Sequence, residues 1–418
     1  MPSPRSPRAP LIVTGSITIE KLVPGGQGLG TAESGKKGFF WNALPGEIVT
    51  EYEITKNKSS YFEAIATKIE SPSLYRIEPL DPCYLSTSPW QIMSYDYELS
   101  QKSELLHEQF RQAGIALEQE IFATPPRGAA AEQRKISFKV ATDGNDFFYR
   151  NKMEYSLYYA HEDQCIYLAF KHRGSHRKLP IDHSSLERPE ILAEAKRIIA
   201  DLNARGEEAR KYQTLLIRSD QHGHVSGGLL ENGKSHPVFD NLTDTILGKT
   251  YSYSPNGFFQ INLPVYEMAL KAIKTSLGDS ENVLDLYAGV GTIGLSVARD
   301  RNLTLVELNG AAYKELEKNC QGTGAEPVLS ASEEALNYIK HNQTVIVDPP
   351  RAGLDDKLIE KLLEVKPETL IYLSCNPATQ ARDIKKLSAI YKITSCTPFN
   401  FFPRTPHLEN LIVLCYNR

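Results

Sequence analysis

The chain has 418 residues, 41% of them hydrophobic and 23% charged, a globular balance that excludes a mostly disordered polypeptide. At roughly 150 residues per domain, its length points to two or three domains. The net charge of −4, from 47 basic and 51 acidic residues, is no global advertisement for nucleic acid. No apolar run approaches the roughly 20 residues of a membrane span.

Residues 1–10 (MPSPRSPRAP) are Pro-rich and basic and contain no apolar stretch. The expectation is therefore a cytoplasmic protein that is neither secreted nor membrane-bound. Residues 17–22, 38–41, 48–54 and 61–69 read as short strands, broken by the turns Pro24-Gly25-Gly26-Gln27-Gly28-Leu29-Gly30 and Leu44-Pro45-Gly46. Strands at this spacing suggest a small barrel. Residues 96–120 carry Leu99, Leu105, Leu106 and Phe110 at helical spacing, and 124–131 read as a linker. Residues 136–171 alternate again, as in Phe147-Phe148-Tyr149-Arg150 and 166–170, which suggests a second β-rich unit. Nine Lys/Arg and five acids between Arg134 and Lys178 leave a local excess of four positive charges, as suits either a phosphate-binding face or a solvated sheet surface. A helix is expected over 189–210. From Pro264 onward strands alternate with helices, the pattern of a doubly wound α/β sheet.

Six cysteines are scattered without a CxxC pair, which excludes a disulfide framework and a zinc ribbon. His222-Gly223-His224 reads as a turn rather than a metal site, so no resident metal is expected.

The chemistry-bearing residues are concentrated in the last third. The apolar strand Asn282-Val283-Leu284-Asp285-Leu286-Tyr287 runs into Ala288-Gly289-Val290-Gly291-Thr292-Ile293-Gly294, a GxGxxG turn at which backbone amides can approach a ligand. Glu307 ends the following strand, where an acid can accept hydrogen bonds from ribose hydroxyls. Asp285 favours S-adenosylmethionine over NAD, because an acid there suits a charged amino-acid tail better than a pyrophosphate. The run 344–347 ends in Asp348-Pro349-Pro350-Arg351, a stiff corner that places Asp348 at the sheet edge. Strand 370–374 delivers Cys375-Asn376-Pro377, and a helix is expected from 378 to 391 with Asn376 as its N-cap. The helix N-terminus is expected to lower the Cys375 thiol pKa toward neutrality and make it a candidate nucleophile. Glu409 opens the last strand. If that strand is antiparallel, Glu409 enters the same crevice as a candidate base, with His407 as its competitor.

In order along the chain, Phe259-Gln260-Ile261-Asn262, Asp285-Leu286-Tyr287-Ala288-Gly289-Val290-Gly291, Asp348-Pro349-Pro350-Arg351-Ala352-Gly353, Ser374-Cys375-Asn376-Pro377 and Thr405-Pro406-His407-Leu408-Glu409 resemble the uracil-5 RNA methyltransferases. Tyr149-Arg150-Asn151-Lys152 resembles a central-domain motif of that family, and residues 11–72 its TRAM barrel. The resemblance implies a TRAM-like RNA-binding barrel (8–72), a central RNA-binding domain (73–94 and 125–245) and a class I methyltransferase domain (95–124 and 246–418). It implies Cys375 as the nucleophile adding to uracil C6 and Glu409 as the base that takes the C5 proton. It also implies S-adenosyl-L-methionine held by Gln260, Tyr287, Thr292, Glu307 and Asp348, with Gly289 and Gly291 in the turn. Arg351 and Phe402 are candidates to hold the extruded base. The implied partner is RNA, with 23S ribosomal RNA favoured over tRNA because of the barrel, and a monomer is the default.

Many relatives carry an iron–sulfur cluster on four cysteines, three of them closely spaced after the barrel. Here that stretch, 82–90, has Cys83 alone, too few thiolates for a cluster. Iron well below one equivalent per chain is expected by metal analysis, and stoichiometric iron with cluster absorbance would contradict this. Three other readings are weighed. An amino-group methyltransferase would place an aromatic after Pro350, where Arg351 stands, and needs neither Cys375 nor Glu409. An RNA-binding protein without catalysis leaves those two residues unused. An NAD-dependent dehydrogenase leaves the Asp-Pro-Pro and Cys-Asn-Pro corners unexplained.

Overall fold

In a computed structural model of the chain, the described residues are 11–117, 139–175, 177–231 and 239–417. The basic stretch 1–10, the expected linker 124–131, the basic residues Arg134 and Lys135 and the start of the second alternating stretch lie outside them. One compact unit takes in the described residues up to Gln101 together with Tyr167–Ser185 and Arg404–Pro406, and a second takes in the rest.

In the first unit, β1 (Leu11–Leu22), β2 (Gly28–Thr31), β3 (Lys37–Trp41), β4 (Ile48–Asn57) and β5 (Tyr61–Ser71) close into a barrel in the order β1-β2-β3-β5-β4. Its core comes from strand alternation: Ile17, Ile19, Phe40, Phe62 and Ala64 are buried. Tyr52 stacks on Phe62 at 5.6 Å while Phe40 meets both rings edge-on. β2 is a strand where the sequence reads as a turn. A side chain at Gly30 would lie 2.6 Å from Ile17 Cγ2, so glycine here marks a close approach of two strands rather than a bend.

Past the barrel come α1 (Tyr84–Thr87) and α2 (Tyr95–Gln112). α2 buries Leu105, Leu106 and Phe110 and stops short of residue 120, at a left-handed Gly114 with φ 75°. The second alternating stretch yields β6 (Lys152–Ala160) and β7 (Cys165–Lys171), followed by β8 (Lys178–Pro180). Phe147 to Arg150 is not a strand. Phe148 has φ 55° and is exposed, and Arg150 forms only an isolated bridge to Glu187. α3 (Pro189–Ala204) gives way to a 3-10 turn before residue 210. β9 (Tyr212–Ser219) pairs antiparallel with both β6 and β10 (Val225–Glu231).

The rest of the second unit positions the site. After the hairpin of β11 (Leu242–Ile246) and β12 (Lys249–Tyr253) comes α4 (Leu263–Ser276). Then follow β13 (Asn282–Leu286), α5 (Thr292–Val297), β14 (Asn302–Glu307), α6 (Gly310–Cys320), β15 (Glu326–Leu329) and β16 (Thr344–Val347). α7 (Asp356–Val365), β17 (Thr369–Ser374), α8 (Pro377–Leu387), β18 (Tyr391–Phe399) and β19 (Glu409–Tyr416) complete the chain order. The sheet runs β15-β14-β13-β16-β17-β19-β18. Its first five strands are parallel, and β19 is antiparallel to both β17 and β18. Leu284, Leu286, Val345 and Val347 pack with α7 and α8 on one face, while Val283, Ile346 and Ile371 pack with α4 and α5 on the other. Burial on both faces is why these strands read as unbroken apolar runs. The helix expected to reach residue 391 ends at Leu387, and 391–399 form β18. Among the described residues no helix is long and apolar enough to cross a membrane.

Candidate active site

Sheet register brings the chemistry to one edge. Leu286 of β13 pairs with Val306 of β14 and Val347 of β16. The next residues along, Tyr287, Glu307 and Asp348, therefore emerge together at the carboxyl ends of three parallel strands, the ligand edge of an open α/β sheet. Ser374 of β17 pairs with Asn410 of β19. One step outward along the two chains come Cys375 and Glu409, which line the same cavity. Two buried amides lock that register. Gln380 Nε2 donates to Tyr372 O (2.9 Å) and Asn410 O (3.0 Å), and Asn410 Nδ2 donates to Gln380 Oε1 at 2.7 Å.

These residues line a cavity of about 750 Å³ that takes in Gln260, Tyr287, Gly289, Glu307, Asp348, Cys375 and Glu409. Gly291 and Thr292 are not among its lining residues. Gly291, with φ 87°, is the N-cap of α5. A side chain there would meet Leu316 and Leu295, so it faces the core, and Thr292 is buried at the first helical position. Arg351, Phe402 and His407 also line the cavity, with His407 exposed and Glu409 buried. Sequence reasoning missed Tyr253, Ser254, Asn256, Phe258 and Asn309. Asn256 and Phe258 adjoin the Phe-Gln-Ile-Asn motif, which could have flagged them. Tyr253 and Ser254 end a hairpin with no local signal.

The Asp-Pro-Pro corner is pinned by α8. Arg351 O accepts from Asn376 Nδ2 (2.8 Å) and Thr379 Oγ1 (3.1 Å), Ala352 O from Arg382 Nη2 (2.9 Å), and Leu354 N donates to Asp383 Oδ2 at 2.8 Å. Gly353 permits the approach: its φ is 82°, and a Cβ there would sit 2.4 Å from Asp383 Oδ2. Asn376 caps α8 as expected, accepting from Ala378 N at 3.3 Å.

The electrostatics are those of carboxylates removed from water. Burial pushes Asp285 up to about 7 against a hydrogen bond from Gly294 N at 2.8 Å, with Asp348 and Glu307 adding to the rise. Burial likewise raises Asp348 to about 7. It holds Glu409 well above the usual carboxylate range, reinforced by Asp348 and opposed by Arg351. Among the described residues, Asp285 Oδ1 and Glu409 Oε2 find no hydrogen-bond partner and are buried. Glu307 Oε2 accepts from Gly289 N (2.7 Å) and Oε1 from Asn309 N (2.6 Å). Each of those oxygens keeps a lone pair for a hydroxyl at the cavity edge. Of these, Glu409 and Glu307 line the cavity, and an orphaned acidic oxygen beside a carboxylate of this kind fits a ligand that carries positive charge and a ribose.

The Cys375 thiol does not follow the sequence expectation. Burial pushes it up to about 11, with Glu409 and Asp348 adding to the rise. Desolvation and two acidic neighbours outweigh the field of the helix behind it. In the free protein, alkylation of Cys375 by iodoacetamide, followed by peptide mass mapping, is expected to be slow at pH 7. Its rate should climb about tenfold per pH unit up to pH 10; a rate already maximal at pH 7 would refute the raised pKa.

Asp285 gives a second expected result. Its pKa is raised on folding, so the native state holds the proton more tightly than the unfolded chain. Its contribution to stability is complete below about pH 4 and is lost as pH rises to about 7. Asp285→Asn cannot ionise. Its melting temperature relative to wild type should therefore rise between pH 4 and 8, by an amount worth about 4 kcal/mol. A pH-independent difference in thermal melts would contradict this.

A family model described as tRNA (Uracil-5-)-methyltransferase matches residues 334–417. Curated relatives described as uncharacterized RNA methyltransferases align along nearly the whole chain. The one from Bacillus cereus is 27% identical over 95% of this chain and 96% of its own, and that from Lactobacillus johnsonii is 29% identical with the same coverage. Among solved structures, Pyrococcus abyssi tRNA (uracil-54, C5)-methyltransferase in complex with S-adenosyl-L-homocysteine superposes with a TM-score of 0.71. It shares 22% identity, covering 96% of this chain and 99% of that one, a likeness of fold.

Proposed function

We propose, from the membership of this chain in the uracil-5 RNA methyltransferase family, that it methylates C5 of a specific uridine in RNA through a covalent adduct on Cys375. The observation that supports the reading is that Cys375 and Glu409, each next to the terminal Ser374–Asn410 pair, line one cavity at the ligand edge of the sheet. S-adenosyl-L-methionine would supply an electrophilic methyl group on a sulfonium, and the unpartnered Oε2 of Glu409 faces the cavity that would hold it. Glu307 suits its ribose hydroxyls. Gln260, Tyr287, Gly289 and Asp348 complete its surroundings, with Gly291 and Thr292 shaping the turn behind them.

Uracil C5 is a poor nucleophile, and the proposed sequence of bonds remedies that. The Cys375 thiol releases its proton to solvent, Glu409 enters the step as the carboxylate, and Sγ adds to C6. The C5–C6 π electrons then make C5 enolate-like, and C5 takes the methyl group. Glu409 removes the C5 proton, the C5–C6 double bond re-forms, and the Sγ–C6 bond breaks to return the thiolate. The target base must leave its stack to reach Cys375, and Arg351 and Phe402 stand at the cavity to receive it.

We infer 23S ribosomal RNA as the target, because a barrel of this kind suits a large structured RNA. The tRNA reading is favoured by the description of the matching family model and by that of the Pyrococcus abyssi protein. The chain is proposed to act as a monomer in the cytoplasm. Labelled methyl transfer to separate 23S and tRNA transcripts, with nucleosides identified by mass spectrometry, is the test. 5-Methyluridine in 23S supports the full reading, and 5-methyluridine in tRNA alone replaces the target. A methylated purine overturns the chemistry.

A further inference from the structure

Arg218, on β9, is wholly buried, a placement that costs several kcal/mol for an unpaired charge. Among the described residues no carboxylate comes within ion-pair distance of it. Its guanidinium is instead committed to the backbone of one segment, the connection from β12 to α4. Nη2 donates to Phe259 O at 2.6 Å and to Gln260 O at 3.3 Å, and Nη1 donates to Gly257 O at 3.3 Å. Its carbon centre lies 4.8 Å from the Tyr253 ring and 5.5 Å from that of Phe259, and those rings stack on each other at 3.9 Å. Nε has no partner.

Asn151, also buried, reinforces the same segment. Its Nδ2 donates to Gln260 O at 3.0 Å and its backbone N to Ile261 O at 3.3 Å, while its Oδ1 accepts from Arg218 Nη2 at 3.4 Å. The two residues are fixed to one another, since Ser219 N donates to Asn151 O at 2.9 Å and Lys152 pairs with Arg218 between β6 and β9. Of the four carbonyls so held, those of Gly257 and Gln260 belong to residues that line the cavity.

A buried cation is a poor device for stability alone, because an apolar side chain of similar volume commonly does as well or better. What the guanidinium offers is a rigid, planar fork that can meet several carbonyls at set angles. Burial pushes its pKa down to about 10, so the fork stays charged at neutral pH. We propose that Arg218 and Asn151 are positioning residues that hold Gln260 in its place in the cavity wall. This rests on the methyl-transfer reading above. They act from the β6–β9 strand pair rather than from the seven-stranded sheet, so the Gln260 wall is set by the central β structure.

A residue that acts through Gln260 should matter little once Gln260 is gone, so the test is a double-mutant cycle. Arg218→Lys keeps the charge and loses the fork. It should lower kcat about thirtyfold, as small misplacements at reacting groups do, while KM for RNA changes less than about threefold. In a Gln260→Ala background the same substitution should cost less than about threefold. Asn151→Ala should follow the same pattern. Equal losses in both backgrounds, an unchanged kcat, or a loss confined to KM would overturn the proposal. Hydrogen exchange supplies a readout independent of activity: in Arg218→Lys, amides 257–261 should exchange faster while those of β13, β16 and β17 keep their protection. Unchanged exchange at 257–261 would also overturn it. A wild type that makes no 5-methyluridine would sink the functional reading instead and leave the exchange result to judge the clamp.

Discussion

Cys375→Ala is expected to abolish product formation, with kcat falling by about 10⁴-fold or more, the scale of losing a covalent nucleophile. The side chain is partly buried between the end of β17 and the start of α8, and its removal leaves the Gln380–Asn410 lock untouched. The melting temperature should therefore stay close to wild type, and removing a thiol that sits beside two carboxylates adds no unpaired charge. Cofactor binding, followed by protection against thermal unfolding, should persist, because Cys375 donates no hydrogen bond to the residues proposed to hold it. Residual 5-methyluridine above about a hundredth of the wild-type rate would exclude a Cys375 adduct. The amino-group chemistry weighed above would then become the stronger reading.

Glu409→Gln divides the same reaction at a later bond. Without a base for the C5 proton, addition and methylation can proceed while elimination stalls, so RNA should accumulate covalently attached to Cys375. A denaturing gel would show labelled methyl migrating with a protein–RNA adduct, and turnover should fall about 10²- to 10⁴-fold, the range for a positioned general base. The band should vanish when Cys375→Ala is added. Glutamine also removes a carboxyl group that burial holds far above its usual pKa, so the variant should be at least as stable as wild type at pH 8. Normal turnover in Glu409→Gln would transfer the role of base to His407, which is exposed and lines the same cavity.

Four of the five parallel strands, all but β15, and the residues at their ends were legible because both causes are local. An apolar run such as Val283 to Leu286, followed by glycines, or Thr344 to Val347, followed by two prolines, announces strand, edge and turn in a dozen residues. That Glu409 meets Cys375 was legible only conditionally, since it depended on the last strand running antiparallel. β2 was lost because Gly28 and Gly30 serve a close strand approach, which composition cannot distinguish from a turn. β18 was lost because its polar and half-buried residues blur its alternation. The raised pKa of Cys375 was beyond sequence reasoning altogether. A helix N-terminus is visible in Asn376-Pro377, but the burial and the two carboxylates that override it come from strands 27 and 34 residues distant. Arg218 was equally silent: a lone arginine in an apolar strand reads as an ordinary surface residue until its carbonyl partners appear.

β19 is the last of the seven strands to be synthesised, yet it lies between β17 and β18. A growing chain on the ribosome thus completes β17, α8 and β18 before the strand that joins them exists. Until then β17 and β18 each present an unpaired edge, the hazard for wrong pairing and aggregation. A slip of one residue as β19 enters would turn Glu409 to the opposite face of the sheet. Biosynthesis therefore leaves Cys375 and Glu409 apart until the final strand docks, and the Gln380–Asn410 exchange of hydrogen bonds forms only when that strand enters in register.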